Sequence, residues 1–305
     1  MGYGSYTSND WNKLKASRNI NSSSDLRQLY KSTAMKPQYD PKNFEIRESC
    51  DSPDNPNSTA IIFGLDVTGS MGYLSESIAK NALNKTMLEI YEKKPVTDPH
   101  IMFNAIGDSK TDAAPLQATQ FEADIRIAEQ LLDIYFEGRG GGNGGESYLL
   151  SWYFAATKTK IDCYDKHGRK GFLFTIGDER THKELTQEEI AKVFGKTDAA
   201  YPYVYTAKAL YTAASRRYNV FHIVLLGGSA IVQNSASDWK ELIGNHAITL
   251  DPGKVDMLPQ IFVSIMQYTN GMNPQDILKQ WDEDAAVVVG SVLNELQNDG
   301  GAVEF

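Results

Sequence analysis

Between residues 60 and 268, short apolar runs alternate with segments whose apolar residues recur at helical spacing, and few folds satisfy that alternation. Ala60-Ile61-Ile62-Phe63-Gly64-Leu65 holds no polar side chain until Asp66 closes it, as a strand covered on both faces requires. Ile78, Ala82, Leu83, Met87, Leu88 and Tyr91 then follow at helical spacing and stop before Lys93-Lys94-Pro95. The rhythm continues with a strand over 100–106 closed by Gly107-Asp108 and a shorter strand over 116–121. Helices are expected over 122–135 and 146–157, and a strand over 171–176 closed by Gly177-Asp178. Thr186 and Glu189 have the spacing of a capping box opening a helix to Phe194. Helices over 206–217, 237–243 and 255–268 accompany strands over 220–226 and 247–250. The pattern predicts an α/β fold, a doubly wound, mostly parallel sheet with helices on both faces. Such sheets gather ligands beyond the carboxyl ends of their strands, where the winding reverses.

Three regions follow. Residues 1–58, rich in Asn, Ser, Tyr and Pro, read as an extended arm with one helix near 24–31, either mobile or wrapped on the domain. Residues 59–270 form the α/β domain, and 271–305 a helical extension with an amphipathic helix over 275–297. A net charge of −9 offers no basic stripe for nucleic acid or anionic lipid. No apolar run approaches the roughly 20 residues of a membrane span. The first residues lack the basic and apolar segments of a secretory leader. Cys50 and Cys163 have no CxxC spacing and read as free thiols of a reducing, cytoplasmic setting.

Three polar segments lie at strand ends or in adjoining loops: Asp66-Val67-Thr68-Gly69-Ser70, Asn143-Gly144-Gly145-Glu146-Ser147 and Gly177-Asp178-Glu179. Asp66, Thr68 and Ser70 set a carboxylate and two hydroxyls on one side of a strand-to-helix turn. With Glu146 and Asp178 they make five hard oxygen side chains from three loops, suited to Mg²⁺, Mn²⁺ or Ca²⁺ and poor for zinc.

Asp66-x-Thr68-x-Ser70, the glycine loop and the strand-terminal Asp178 resemble the metal-ion-dependent adhesion site of von Willebrand factor A domains, over roughly residues 60–268. The resemblance implies that Thr68 and Ser70 bind metal through their hydroxyls and that Asp66 and Asp178 act directly or through water. It implies a protein-binding module whose cation, Mg²⁺ with Mn²⁺ or Ca²⁺ as substitutes, takes an Asp or Glu from a protein partner. Intracellular members of the family resemble adaptors in multiprotein assemblies, often with AAA+ ATPases. Most of the family has Ser at the position of Thr68 and a loop Thr where Glu146 stands. Glu146 is similar instead to the metal-binding glutamate of integrin β subunits. By the same likeness a second cation falls on Asp108, Asn143 and Gly145, with Glu146 shared. A third is not expected, because Gly72-Tyr73-Leu74 follow Met71 where acids would be needed.

Simpler readings stand beside these. Asp, Thr and Ser favour helix caps, Glu146 suits a helix's first turn, and Asp108 and Asn143 are common turn residues. Asp112 and Glu179 read as solvated or supporting groups, His182 as a surface-loop residue, and Tyr148, Trp152 and Tyr153 as core. Neither Gly138–Gly145 nor Gly195-Lys196-Thr197 completes a phosphate loop, and Thr68 occupies the first glycine position of a hydrolase elbow. Two other functions remain open: a metal-dependent hydrolase or phosphoryl-transfer enzyme, and a structural subunit of a larger particle.

Overall fold

Six strands carry the central sheet: β1 (Thr59–Asp66), β2 (Pro99–Ile106), β3 (Leu116–Ala118), β4 (Gly171–Gly177), β5 (Tyr218–Leu225) and β6 (Ala247–Leu250). Their spatial order is β6-β5-β4-β1-β2-β3. Every pairing is parallel except that of β2 with β3. This is the doubly wound α/β architecture expected above, and the winding reverses between β1 and β4. The computed structural model describes residues 4–138, 145–197, 204–226 and 230–297.

The helices used below are α1 (Ser8–Arg18), α2 (Leu83–Lys93), α3 (Arg126–Leu132), α4 (Tyr148–Thr157), α5 (Gln187–Phe194), α6 (Ala207–Ser215), α7 (Ala230–Ile243), α8 (Leu258–Thr269) and α9 (Glu283–Gln297). Alternate residues of β1 serve opposite cores. Ile61, Phe63 and Leu65 join α2, α3 and α8 on one face, and Ala60 and Ile62 join α4 to α7 on the other. The parallel register brings Phe103, Phe63, Phe174 and Phe221 into one row across four strands, with ring centroids 5.5–5.7 Å apart. Phe262 of α8 covers that row, 4.8 Å from Phe63 and 5.0 Å from Phe174. Offset stacking adds about 0.5–1.5 kcal/mol per pair beyond burial, so the row stiffens the strands that carry the polar loops.

The arm is folded against the domain. Trp11, Leu14, Ile20, Leu29 and Tyr30 are buried in the same core as α2 and α8. Thr and Asp caps make α1 and the short Leu26–Leu29 helix legible only locally: Thr7 caps α1, and Asp25 with Gln28 forms a capping box. Arg47–Ser49 pairs in parallel with Thr159–Ile161, a strand pair that period counting missed because each member has three residues. Beside it, Pro41–Asn43 lies against β3, and the Arg47 guanidinium donates to the Ala118 carbonyl at 3.0 Å. The helix expected over 275–297 is two, Pro274–Leu278 and α9. Trp281 turns aside to donate to the Ser264 hydroxyl at 2.9 Å, and the Asp282 carboxylate accepts from the Ala285 N–H to start α9. Cys50 and Cys163 are both free thiols. Among the described residues no helix is long and apolar enough to cross a membrane.

On the α4 face, the buried His222 ring lies flat on Trp239 at 3.6 Å and shares a hydrogen bond with Thr175 Oγ1 at 2.8 Å, while its Nε2 has no partner. Burial holds its pKa well below the ordinary value, so the folded ring refuses a proton that the unfolded chain accepts below about pH 6.5. The contribution is therefore present above that pH and lost as pH falls through it, by up to about 1.4 kcal/mol per pH unit. Urea midpoints should show the wild type losing ground to His222→Gln between pH 7 and pH 5; parallel curves would refute the assignment.

Candidate metal centre

At the carboxyl end of β1 the chain leaves the sheet at the switch point. The Val67 N–H donates to the Ile106 carbonyl at 2.9 Å, holding the exit alongside β2. Asp66 is fully buried. Its Oδ1 accepts from the Thr68 N–H at 2.9 Å and the Thr68 hydroxyl at 2.6 Å, a local side-chain turn that Asp favours. Its Oδ2 accepts from the Tyr148 hydroxyl at 2.7 Å. Burial raises the Asp66 carboxyl to about 6, the Thr68 and Tyr148 hydrogen bonds pull it down, and the charge of Asp178 pushes it up. Tyr148, at the start of α4, reaches Asp66 across Gly177, where any side chain would collide with its ring.

Glu146 lies on the other side. Its N–H donates to the Arg180 carbonyl at 3.0 Å, and its carbonyl accepts from the His182 N–H at 3.3 Å. These bonds tie the loop before α4 to the loop after β4. The Glu146 side chain is 5% exposed, and its Oε2 has no hydrogen-bond partner. Burial, followed by the charges of Asp66, Asp108, Asp112 and Glu179, drives its carboxyl to about 9. Carboxylates crowded in a dry site repel protons' loss until a cation is supplied.

Of the residues singled out in the sequence, Asp66 and Thr68 touch, and Asp178 and Glu146 stand close enough for their charges to act on Asp66 or be acted on by it. Ser70 lies in the Gly69–Met71 turn that leads into Gly72–Ser77; its side chain is outside what is described. Asp108 is fully buried, with Oδ1 accepting from Ser147 Oγ at 3.1 Å and the Lys110 N–H at 3.2 Å and lying 2.8 Å from His182 Nε2. Gly145 packs against the Arg180 carbonyl and His182 Nδ1, where a Cβ would come within 3.2 Å of each. Asn143 lies outside the described residues. Among the described residues no group of three or more His, Cys, Asp or Glu stands ready to hold a metal.

Sequence reasoning missed the roles of Tyr148 and His182, and held the supporting role of Asp112 as one of two readings. Tyr148 is core, as expected, and also Asp66's hydrogen-bond partner. His182 is not a loose surface group but bridges Asp108 and Lys110. Asp112 is buried and accepts from the Asp108 N–H at 2.8 Å. Tyr148 had a usable signal, two positions after Glu146 at the entrance of a helix, and His182 had one in following Asp178 by four positions.

The donor set fits a hard divalent cation: it is all oxygen, and it includes a buried carboxylate atom with no partner. Glu146→Gln tests this. At about 9 the folded Glu146 retains a proton that the unfolded chain releases near 4.5, so the stability it contributes is present at low pH and lost as pH rises across that interval. In EDTA at pH 8 the Gln variant should unfold at higher urea than wild type, by about 1–3 kcal/mol. A lower midpoint would mean that the carboxylate is already compensated.

No family model matches the chain, and no curated relative matches it. Solved structures similar to it include the pilus adhesin SpaC from Lactobacillus rhamnosus GG in its open conformation, at 8% identity and a TM-score of 0.47, over 72% of this chain and 31% of that one. The vWF domain of the type V pili tip protein Mfa5 from Porphyromonas gingivalis aligns at 10% identity and a TM-score of 0.45, over 70% and 96%. Proximal thread matrix protein 1 from the mussel byssus, with a zinc-occupied MIDAS motif, aligns at 11% identity and a TM-score of 0.41, over 72% and 49%. The alignments span about a third of the adhesin and half of the byssus protein.

Proposed function

We propose that this chain is a non-enzymatic binding module that holds a divalent cation at the β1–β4 switch point and captures an acidic side chain of a protein partner through it. One observation carries the reading: Glu146 Oε2 is buried and without a partner, and the charges of Asp66, Asp108, Asp112 and Glu179 bear on its carboxyl. A buried carboxyl so placed calls for a positive charge from outside the chain. The resemblance of Asp66-x-Thr68-x-Ser70 to a von Willebrand factor A metal site supplies its nature. Thr68, Ser70, Asp66, Asp178 and Glu146 would hold the ion. When bound, it would supply an open coordination position for a carboxylate.

The protein's own residues do the positioning. Tyr148 fixes Asp66 by hydrogen bond, and the Glu146 backbone locks two loops together, so these two carboxyl groups are held before an ion arrives. Mg²⁺ is the expected ion, with Mn²⁺ or Ca²⁺ as substitutes, and a cytoplasmic multiprotein assembly, including one driven by an AAA+ ATPase, is the expected setting. Calorimetric titration of the chelator-treated protein with Mn²⁺ and Mg²⁺ near pH 7.5 should give saturable binding that releases protons, because Glu146, held at about 9, must ionise. Flat titrations up to millimolar metal would end this reading.

A further inference from the structure

Next to the Glu146 loop, on the far side of the Arg180–His182 segment, lies an open cleft of about 540 Å³. We infer that this cleft receives a second acidic side chain of the partner, so that the preferred ligand is an extended acidic segment with one carboxylate for the cation and another for the cleft. This rests on the proposed cation-dependent capture.

The position is suited to it. Arg180 and Thr181 line the cleft, while their backbone pairs with Glu146, so one three-residue segment walls both places. A segment leaving the cation therefore meets the cleft within a few residues, since extended chain advances about 3.3 Å per residue. Charge is suited as well. The chain carries −9 overall, yet Arg180, Lys183 and Lys208 gather here. Asp238 and Glu241 also line the cleft; Arg180 meets Asp238 at 3.2 Å, which leaves the two lysines against Glu241 alone. The floor is firm, because Trp239 donates through its ring N–H to the Glu179 carbonyl at 3.0 Å and is buried at its back by His222.

Fluorescence anisotropy with two labelled probes tests it: a Gly-Ser decapeptide with one central Asp, and the same peptide with Asp also placed two and four residues on. In Mn²⁺ the multi-acid probe should bind wild type at least tenfold tighter than the single-acid probe. Lys183→Ala with Lys208→Ala should bring the two within about twofold of each other, while single-acid binding stays as in wild type. Both lysines are exposed, so folding is not at issue, and a charge-keeping Lys183→Arg with Lys208→Arg should retain the gain. An unchanged preference in the double alanine variant overturns the cleft assignment, as does absence of any preference in wild type. EDTA separates the two readings: single-acid binding indifferent to EDTA defeats the cation reading, whereas a lysine-dependent preference that persists in EDTA keeps the cleft alone.

Discussion

Asp66→Asn is expected to abolish saturable Mn²⁺ binding while the fold stays intact. Asp66 is fixed from both ends, by Thr68 on Oδ1 and by Tyr148 on Oδ2, and the charges of Asp178 and Glu146 couple to it. Removing a charged ligand from such a place should lower affinity by more than the roughly 10- to 100-fold typical of changes behind a ligand. The amide keeps an acceptor for the Thr68 N–H, and the Tyr148 hydroxyl is able to accept from the new NH₂, so both local bonds survive in altered sense. Without metal the variant should be no less stable than wild type near pH 7.5, because a carboxyl held at about 6 is ionised there in a dry site. Calorimetry for the metal, circular dichroism for the fold and urea midpoints for stability read the three parts separately. Mn²⁺ affinity within threefold of wild type would remove Asp66 from the ligand set.

Gly177→Ala should destabilise the protein by about 3 kcal/mol or more, the upper end for overpacking a filled core. The obstacle is space rather than backbone angle, because Gly177 is an ordinary residue of β4. A Cβ there would overlap the Tyr148 hydroxyl and lie 2.6 Å from Cζ and 2.9 Å from Cε1. Tyr148 has nowhere to go: Asp66 holds its hydroxyl, and the rings of His222 and Trp239 meet it edge-on at 4.9 and 5.5 Å. Adding Tyr148→Phe should recover part of the loss, since it removes only the nearest of the three overlapping atoms. A loss below 1 kcal/mol by urea unfolding would show that the ring shifts freely, and Tyr148 would then be a poor brace for Asp66.

Much of the fold was legible because strands buried on both faces leave mainly apolar runs, as in β1, β2, β4 and β5, broken only by scattered polar residues such as Asn104, Thr175 and His222. The Thr186 capping box was legible because its two side chains bond the same turn they precede. What stayed hidden depended on partners far away in sequence. Arg47–Ser49 is a strand only because Thr159–Ile161 lies beside it, and α1 has almost no amphipathic pattern although Trp11 and Leu14 anchor it. At the candidate site, Asp66, Thr68 and Asp178 announce themselves at strand ends. Glu146 was legible through its glycine-rich approach. The ring of supports, Tyr148 to Asp66 and His182 to Asp108, joins residues 82 and 74 positions apart, and no local spacing encodes such pairs.

The Arg47 guanidinium on the Ala118 carbonyl has a bearing on self-association. A three-residue antiparallel strand at the rim of a sheet invites a stranger's backbone. Here the chain's own leading segment has taken that seat, so another copy approaching from this side meets a side chain and a proline-bounded turn instead of vacant amide groups. Shortening the protein from its start, as is often done to obtain a tidier sample, would strip away this guard and favour fibrils over crystals.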